Sequence, residues 1–473
     1  MSRTMTISRP LAVVSSVLPC ATKAWQSPAI ATASCRLWWL YCGSSSPRGF
    51  TTTARRSQEQ QRKKKESDAL RILFCGSDEF SSASLRALHE EKERNPGLIE
   101  SIDVVVRPGK PVGRGMKSIR HPPIRDVAEK LGLPIHERDT FTQWDMPSAI
   151  NLIIAVSFGK LVPNRLLAAA KYGGLNVHPS LLPDLRGPAP LHHALLRQMN
   201  ATGVSLQTLD PHEFDKGLVL AQSRDDALIQ IPPQCTVPQL LELVTPVGAD
   251  MLVQGLRDGV HVPPLEEQRS GVAKGRQAAA AAAVTHAPKI ETKDRDLFGN
   301  FTHPSNAVID KVSGKGPWGG LPPPHSLSSV GPVESVALAQ RVIGPLWFRA
   351  MDCKSNIIKR VIIDKADTEI VFKAPPKGLL GDVPSSSEMT FDSTCIFGLD
   401  DKEGSLANTS QLWYLLEDGD DSIYLFDGPY SDESRRNRRL RCLRISSLKV
   451  DGQAAKPARH AIDHFYSFLG VPK

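Results

Sequence analysis

Between residues 70 and 256, short apolar runs alternate with segments of helical periodicity, and this alternation most constrains the fold. Leu70-Arg-Ile-Leu-Phe-Cys-Gly76 is an apolar run that ends in glycine, and Asn151-Leu-Ile-Ile-Ala-Val156 is a second such run. Strands that alternate with helices at this spacing predict parallel βαβ units and a doubly wound, mostly parallel α/β sheet. Ligands bind such sheets beyond the carboxyl ends of the strands.

The other elements of this region follow from the same two periodicities. The predicted strands are 102–106, 174–178, 203–209 and 218–222, and the predicted helices are 124–131, 163–171, 191–198 and 237–256. We therefore expect residues 69–270 to form one α/β domain.

Beyond this domain the pattern of residue types along the chain changes. Residues 271–290 include six consecutive alanines and predict a linker. In residues 291–473, β-rich runs are separated by Gly, Pro, Asp and Ser, which predicts a small β-barrel or sandwich. Within it, the Pro/Gly-rich segment 297–336 is expected to be irregular. The β-rich runs are 357–363, 369–372, 411–416, 423–426 and 440–445.

The formal net charge of +8 comes almost entirely from the N-terminus. The first 56 residues hold seven Lys/Arg and no Asp or Glu, which leaves 51 basic and 50 acidic residues elsewhere. Their Ser, Thr, Ala and Arg content predicts a mitochondrial transit peptide at 1–57, followed by a charged linker at 58–68. A secretory signal and a disordered basic tail are the alternatives. The transit peptide predicts a protein of the mitochondrial matrix.

Neither a membrane span nor a metal site is expected. No apolar run approaches the ~20 residues that cross a bilayer. The eight cysteines include no Cys-x-x-Cys pair and no spacing typical of zinc, and disulfides are not expected in a reducing compartment.

The segment Gly174-Leu-Asn-Val-His-Pro179 carries the first chemical signal. In a strand, a period of two places Asn176 and His178 on one face, about 6.5–7 Å apart. Pro179 ends the strand, so both polar groups lie at its carboxyl end. An amide beside an imidazole can stabilise an oxyanion and move a proton there, although a structural histidine is the alternative.

The neighbouring residues extend this signal. Ser180-Leu-Leu-Pro183 and Arg186-Gly-Pro-Ala-Pro190 follow, and Asp215-Lys-Gly217 comes after the next predicted strand. With these motifs the chain resembles the folate-dependent formyltransferase family, in which an Asn-x-His-x-Ser-Leu-Leu-Pro segment and a later Asp-x-Gly form the active site. The resemblance implies a Rossmann-like catalytic domain and catalytic roles for Asn176, His178 and Asp215.

Two further segments resemble the branch of the family that acts on methionyl initiator tRNA. One is the basic stretch Arg107-Pro-Gly-Lys-Pro-Val-Gly-Arg-Gly-Met-Lys117, and the other is Arg186-Gly-Pro-Ala-Pro-Leu191. Ala287-Pro-Lys-Ile290 resembles a segment from the start of the family's C-terminal domain. That branch also carries an oligonucleotide-binding-like (OB-like) barrel in its C-terminal domain. The resemblance covers residues 69–270 well and 285–473 loosely.

The resemblance implies a reaction and its substrates. The formyl group of 10-formyltetrahydrofolate passes to the amino group of methionyl initiator tRNA, with no metal and no membrane involved, in a protein expected to be a monomer. The implied folate pocket includes Ser180, Leu181, Leu182 and Pro183. Residues 212–214 are one residue longer than usual before Asp215, which raises the question of that carboxylate's reach.

Two basic clusters are candidates for tRNA contact. The first lies in the Gly/Pro-rich loop after the second strand and contains Lys110, Arg114 and Lys117. Basic side chains in such a loop can contact phosphates and position an RNA end. The second cluster lies on a predicted β-hairpin, where concentrated positive charge favours phosphate binding. Its site candidates are Arg435, Arg436, Arg438 and Arg439.

Four other functions remain to be weighed. A formyltransferase for a small amine, or a formyltetrahydrofolate hydrolase, would have no use for basic residues far from His178. An inactive RNA-binding protein that keeps the fold would have no use for the Asn176/His178/Asp215 set. A nicotinamide-dependent dehydrogenase is disfavoured because Gly76-Ser-Asp-Glu-Phe80 lacks the G-x-G-x-x-G pattern.

Overall fold

The computed structural model describes most of the chain beyond residue 64. The described residues are 65–113, 115–268, 285–297, 332–352, 354–355, 357–373, 393–395, 413–417, 419–426, 439–463 and 465. The predicted transit peptide, Arg114, Arg435, Arg436, Arg438, most of the alanine-rich linker and most of 297–336 lie outside them.

The N-terminal part alternates strands and helices, as its sequence periodicity predicts. Its elements in chain order are β1 (Leu70–Gly76), α1 (Glu79–Arg94), β2 (Ile99–Val106), β3 (Lys110–Val112), β4 (Ser118–Arg120), α2 (Pro123–Lys130), β5 (Ile135–Glu137), β6 (Leu152–Val156), α3 (Asn164–Ala169), β7 (Gly174–His178), α4 (Pro190–Leu196), β8 (Ala201–Thr202), β9 (Ser205–Thr208), β10 (Val219–Gln222), β11 (Ile229–Gln230) and α5 (Val237–Arg257).

Seven of these strands form a mostly parallel sheet in the order β10-β9-β7-β6-β1-β2-β5. The five neighbouring strands β7, β6, β1, β2 and β5 are parallel to one another, which confirms the predicted βαβ character. The central strands β1 and β6 are largely apolar and buried, as expected for strands of a parallel sheet that is covered on both faces. Strand β6, for example, is buried at all five positions.

Helix ends show why these helices begin where they do. The side chain of Asp78 caps α1 by accepting a hydrogen bond from the backbone N–H of Ser81. At α5, Thr236 and Gln239 form a capping box, and Pro238 lies in the first turn, where its missing N–H costs nothing. Helices α1 and α5 pack against each other beside the sheet.

The edge of the sheet beyond β7 is antiparallel. Strand β9 runs antiparallel to β7 and pairs Asn176 with Gln207 and His178 with Ser205. Strand β10 continues the same antiparallel pattern. Because β9 pairs with β7, it places its own side chains beside the predicted catalytic strand.

The basic stretch after β2 differs from its prediction as a loop. Strands β3 and β4 pair as an antiparallel hairpin, with Lys110 opposite Arg120 and Val112 opposite Ser118. Gly113 and Gly115 have positive φ angles of 82° and 80°, which a tight chain reversal requires and glycine adopts without strain. The glycines that suggested an irregular loop are the residues that allow the hairpin.

In its described residues, the C-terminal part contains a helix, an antiparallel sheet and a short second helix at the end. Its elements are α6 (Pro332–Ile343), β12 (Trp347–Asp352), β13 (Ile357–Lys373), β14 (Ser393–Cys395), β15 (Trp413–Leu416), β16 (Ile423–Phe426), β17 (Leu440–Val450), β18 (Lys456–Pro457) and α7 (Ala458–Ile462). The strand order is β12-β13-β17-β16-β15-β14, and β18 pairs with β17.

One strand prediction in this sheet is wrong. The runs 357–363 and 369–372 were expected to be two strands, but both belong to the 17-residue strand β13. The polar residues between them suggest a break, yet β17 pairs with the strand from Val361 to Lys373, through register shifts between Ile363 and Ile370. Bulges of this kind bend a strand without ending it.

A continuous apolar core joins the two parts. Helix α6 packs on α4 of the first part and on β13 of the second. Val336, Leu338 and Val342 of α6 belong to the same buried cluster as Leu195 of α4 and Ile363 of β13. The helix therefore has apolar neighbours on both sides.

Candidate active site

Asp215 lies in the connection between β9 and β10, and its side chain is only 9% exposed. Its φ angle of 56° is left-handed, a conformation that aspartate tolerates better than most residues. Upstream, Asp210 Oδ1 accepts hydrogen bonds from the backbone N–H groups of His212 (2.8 Å) and Glu213 (2.9 Å). These bonds lower the pKa of Asp210. Downstream of this turn, Asp215 reaches the β7 side chains of Asn176 and His178.

Three donors converge on the Asp215 carboxylate. Asn176 Nδ2 donates to Oδ1 at 3.2 Å, and Gln207 Nε2 donates to the same oxygen at 2.9 Å. The backbone N–H of Gly187 donates to Oδ2 at 2.8 Å. Hydrogen bonds of this kind stabilise a buried negative charge. The structure thus brings together the three predicted catalytic residues and adds Gln207 and Gly187 to them.

His178 is buried between two acceptors. Its Nε2 donates to the carbonyl oxygen of Leu185 at 3.0 Å, and its Nδ1 lies 3.4 Å from Asp215 Oδ1. Because a neutral imidazole carries one N–H, only the doubly protonated ring can donate to both acceptors at once. With Nε2 donating to Leu185, Nδ1 of His178 faces the Asp215 carboxylate.

Close backbone packing explains why the Asp-x-Gly motif ends in glycine. A Cβ atom built on Gly217 would overlap the carbonyl oxygen of Thr208 on the neighbouring strand. The close approach lets the Leu218 N–H donate to Thr208 Oγ1 at 2.8 Å. Gly217 therefore holds the Asp215 connection against β9.

The loop that supplies Leu185 and Gly187 is held from the far side by residues 285–288. The Thr285 hydroxyl accepts from the Leu185 N–H at 2.8 Å, and the Thr285 carbonyl accepts from the Arg186 N–H at 3.0 Å. Ala287 continues this pairing through its own N–H and carbonyl groups. The C-terminal end of the predicted linker is thus bound to the loop that contacts both His178 and Asp215.

Gly187 makes this approach possible. Its φ angle is 115°, and a Cβ atom added there would lie 2.8 Å from the carbonyl oxygen of Ala287. No side chain fits at that distance without moving the backbone of one of the two segments. The glycine in the Arg186-Gly-Pro-Ala-Pro190 motif therefore serves both the close packing and the N–H donation to Asp215.

A buried histidine reinforces the same contact. His193 Nε2 donates to the carbonyl oxygen of Pro288 at 3.0 Å. Burial lowers the pKa of His193 to about 4, so the ring is neutral near pH 7. The ring acts there as an uncharged donor that links α4 to residues 285–288.

The predicted folate residues are buried, and hydrogen bonds within their loop and to β9 hold them in place. The Ser180 hydroxyl donates to the Asp184 carbonyl at 2.6 Å, while the Leu182 N–H donates to Ser205 Oγ at 3.0 Å. Leu181 and Leu182 are nearly inaccessible, and Pro183 is also buried. Their side chains stabilise the loop after β7.

The predicted tRNA contacts are exposed where they are described. Lys110 and Lys117 lie on the β3–β4 hairpin, together with the exposed side chains of Met116 (68%) and Ile119 (63%). Arg439 is exposed just before β17. The hairpin therefore presents both positive charge and apolar surface to solvent.

The sequence did not predict the part that four residues play in this site: Gln207, Gly187, Leu185 and Thr285. Gln207 belongs to a predicted strand, but its proximity to Asn176 depends on an antiparallel register that no local pattern reports. Thr285 lies 100 residues beyond Leu185. The glycine inside the Arg186–Pro190 motif was the one available signal for this loop.

Two features are absent from the described residues. No described helix combines the length and apolarity that crossing a bilayer requires. Among the same residues, no group of three or more His, Cys, Asp or Glu side chains could hold a metal ion.

Comparison with known proteins places this geometry in context. The formyl transferase family matches residues 70–255. The mitochondrial methionyl-tRNA formyltransferase of Saccharomyces cerevisiae is 34% identical over 285 residues, which cover 52% of this chain and 68% of that protein. The Bos taurus enzyme of the same name is 35% identical over 228 residues, which cover 48% of this chain and 52% of the bovine one. The match thus spans about half the length of the bovine relative.

Among solved structures, a phosphoribosylglycinamide formyltransferase from Bacillus halodurans aligns with 40% of this chain and 95% of its own. Its sequence identity is 18% and the TM-score is 0.31.

Proposed function

This chain belongs to the methionyl-tRNA formyltransferase family, and on that premise we propose that it formylates methionyl initiator tRNA in mitochondria, with 10-formyltetrahydrofolate as formyl donor. The observation that carries the proposal is the convergence of Asn176, His178 and Asp215. Asn176 and Asp215 lie 39 residues apart in sequence, yet Asn176 and His178 both lie against the Asp215 carboxylate. All three lie inside the matched family segment.

The reaction joins the methionyl amine to the formyl carbon. A C–N bond forms, the bond from the formyl carbon to the folate nitrogen breaks, the amine loses a proton and the folate nitrogen gains one. Negative charge develops on the formyl oxygen in between, where fixed donors stabilise it most. Asn176 Nδ2 carries two N–H groups, and one of them remains for this oxygen when the other bonds to Asp215.

Asp215 and His178 handle the proton in this proposal. The carboxylate is close enough to share a proton with His178 Nδ1, and donors on both of its oxygens stabilise its charge. It can accept the amine proton directly or through water, and the pair can return a proton to the leaving nitrogen. Holding these groups in place before the substrates arrive lowers the barrier, because they need little reorganisation during the reaction.

The family uses formyltetrahydrofolate derivatives, and we assign the folate to the carboxyl edge of the sheet beside Ser180, Leu181, Leu182 and Pro183. The turn after β6 reaches the same edge, where Ser157 and Gly159 have positive φ angles of 49° and 71°. Parallel strands β6 and β7 bring these two turns side by side. The buried Ser180–Pro183 segment would act mainly by shaping the pocket wall.

The tRNA would be held by the two basic clusters. Lys110 and Lys117 on the hairpin, with Arg114 between them in sequence, would contact the acceptor end. Arg435, Arg436, Arg438 and Arg439, in the connection between β16 and β17, would contact phosphates further along the tRNA. We propose that the antiparallel sheet of residues 291–473 is an OB-like, tRNA-binding domain and that 69–270 is the catalytic domain.

The remaining boundaries complete the proposal. Residues 1–57 would direct import into the matrix, 58–68 would link to the catalytic domain, and 271–290 would join the two domains. The enzyme is proposed to act as a monomer, which analytical ultracentrifugation of the purified chain can test.

The decisive experiment is a formylation assay on the full chain. We expect formyl-methionyl-tRNA from 10-formyltetrahydrofolate and methionyl initiator tRNA, no product from a small amine such as an amino sugar, and no release of formate without tRNA. Formylation of the small amine instead would establish the small-substrate alternative. Formate release that is independent of tRNA would identify a hydrolase, and tRNA binding without any product would identify an inactive RNA-binding protein.

A further inference from the structure

Gln207 is the one side chain at Asp215 that the family motifs do not include. It lies on β9 opposite Asn176, and 1% of its surface is exposed. Its Nε2 donates to Asp215 Oδ1 at 2.9 Å, a shorter distance than the 3.2 Å from Asn176 to the same oxygen. By distance, Gln207 makes the closer of the two amide contacts with the carboxylate.

The other end of this amide is unpaired. Among the described residues, no donor lies within hydrogen-bond distance of Gln207 Oε1, although the atom is buried. A buried acceptor without a donor lowers stability, because it has lost its water and gained nothing in return. Among the described residues, the hydrogen bond to Asp215 is thus the one contact that fixes this amide.

Gln340 in α6 shows what such a structural glutamine looks like. Its Nε2 donates to the Ile363 carbonyl at 3.1 Å, and its Oε1 accepts from the Leu346 N–H at 2.9 Å. Both ends of that amide hold backbone groups, so it joins α6 to the strands of the C-terminal sheet. Gln207 instead makes its one described hydrogen bond with the Asp215 carboxylate.

The strand that carries Gln207 turns a polar face towards the site. Ser205 shares that face under the strand period of two, and its hydroxyl donates to the Ser180 carbonyl at 2.6 Å. Between them, Leu206 points to the opposite side and is buried in the apolar core. The β9 face therefore supports the loop after β7 with Ser205 and the catalytic carboxylate with Gln207.

We propose that Gln207 is a positioning residue for the formyl transfer, and that it acts by orienting Asp215 and stabilising its charge through the Nε2–Oδ1 hydrogen bond. The inference rests on the proposed function of Asp215. Loss of this bond would let the carboxylate rotate away from His178 Nδ1 and weaken the shared proton. The substrates themselves would still bind, because Gln207 is not assigned to either of them.

A double-mutant cycle tests the inference in the full chain. The four proteins are the natural one, Gln207→Met, Asp215→Asn and the double variant, and formylation is followed under single-turnover conditions. We expect Gln207→Met to lower the rate about tenfold with the KM values for folate and tRNA changed less than about twofold. In the Asp215→Asn background, the same substitution should change the rate by less than about twofold.

The outcomes separate two kinds of failure. Equal factors in both backgrounds would overturn the inference, since Gln207 would then act without Asp215. An unchanged rate for Asp215→Asn would instead contradict the proposed site, and this inference would fall with it. Gln340→Met is the matched control, because it should lower Tm and leave the rate unchanged.

A second variant covers the case in which the Asp215→Asn background is too slow to measure. Gln207→Glu places a second carboxyl group beside Asp215, and two adjacent carboxylates resist simultaneous ionisation. The acid limb of the pH–rate profile should therefore move to higher pH by about one unit or more. A profile that superimposes on the natural one would overturn the inference, because a purely structural glutamine would leave it in place.

Discussion

The Asp215 centre and the β3–β4 hairpin are both polar, but they are built in opposite ways. The Asp215 side chain is 9% exposed and accepts hydrogen bonds from three protein donors. The hairpin exposes Lys110 and Lys117 beside two largely uncovered apolar side chains. The first arrangement satisfies its charge before any substrate arrives, whereas the second presents its charge to solvent. Under the proposed function, the first arrangement holds groups for chemistry and the second offers groups for tRNA binding.

The two regions also depend on different parts of the chain. The hairpin is local, since its paired residues lie at most 10 positions apart in sequence. The Asp215 centre draws on β7, on β9 and on the loop that Thr285 and Ala287 hold from the other end of the linker. Substitutions should therefore affect rate at the centre and tRNA affinity at the hairpin.

The largest effect is expected for Asp215→Asn. The substitution removes the negative charge and places an amide among the donors of Asn176, Gln207 and Gly187, so the single-turnover rate should fall about 10²–10³-fold. Affinity for tRNA, measured by filter binding, should stay within about twofold. The control is Asp226→Asn, an exposed carboxylate paired with Arg224, which should leave both quantities unchanged. A parallel loss of tRNA binding would assign Asp215 a structural role.

Gly187→Ala should have the next largest effect. The new Cβ would press on the Ala287 carbonyl and displace the N–H that donates to Asp215, and we expect kcat to fall about tenfold or more. Gly132→Ala is the matched control, because Gly132 also has a positive φ of 65° but has open space around it. It should lower Tm without changing kcat. Equal kcat values for both variants would show that residues 285–288 do not support the centre.

On the hairpin, the double substitution Lys110→Ala, Lys117→Ala should raise the KM for tRNA several-fold. Its kcat should change less than about twofold, and the slope of log affinity against log salt should fall by about two, one for each lost phosphate contact. Lys130→Ala, an exposed lysine at the end of α2, serves as the control. An unchanged salt slope would remove these lysines from the tRNA contact.

The smallest effect on activity at neutral pH is expected for buried imidazoles away from the centre. His261 bonds to the Ser67 hydroxyl through Nε2 at 3.0 Å, and burial lowers its pKa to about 4. The unfolded chain then binds more protons than the folded one below about pH 6.5, so stability is complete above that pH and is lost as pH falls towards 4.

His261→Phe should keep the aromatic contact with Tyr172 and remove this proton uptake. Between pH 6.5 and 5 the variant should lose roughly 1–2 kcal/mol less unfolding free energy than the natural chain. Chemical denaturation at several pH values measures the difference, and the exposed His460→Phe is the control. Identical pH slopes for the natural chain and His261→Phe would contradict this account.

Much of the N-terminal fold could be predicted because its signals are local. Apolar runs and helical spacing predicted strands β1, β6 and β7 and helix α5, and glycine and proline marked the ends of several elements. The predictions failed where a partner strand decides the outcome. The β3–β4 hairpin and the continuous strand β13 each depend on pairing that outweighs the local turn or polar signal.

By itself, the sequence determined the parallel sheet, the position of Asn176 and His178 at the end of a strand, and the motif that contains Asp215. These follow from periodicity and short spacings, which neighbouring residues impose on one another. Only the tertiary structure decided that Gln207 lies against Asp215 and that Thr285 and Ala287 hold the loop of Gly187. The physical reason is that hydrogen bonds between distant segments depend on strand register and close backbone approach, which exist only after the whole core has packed.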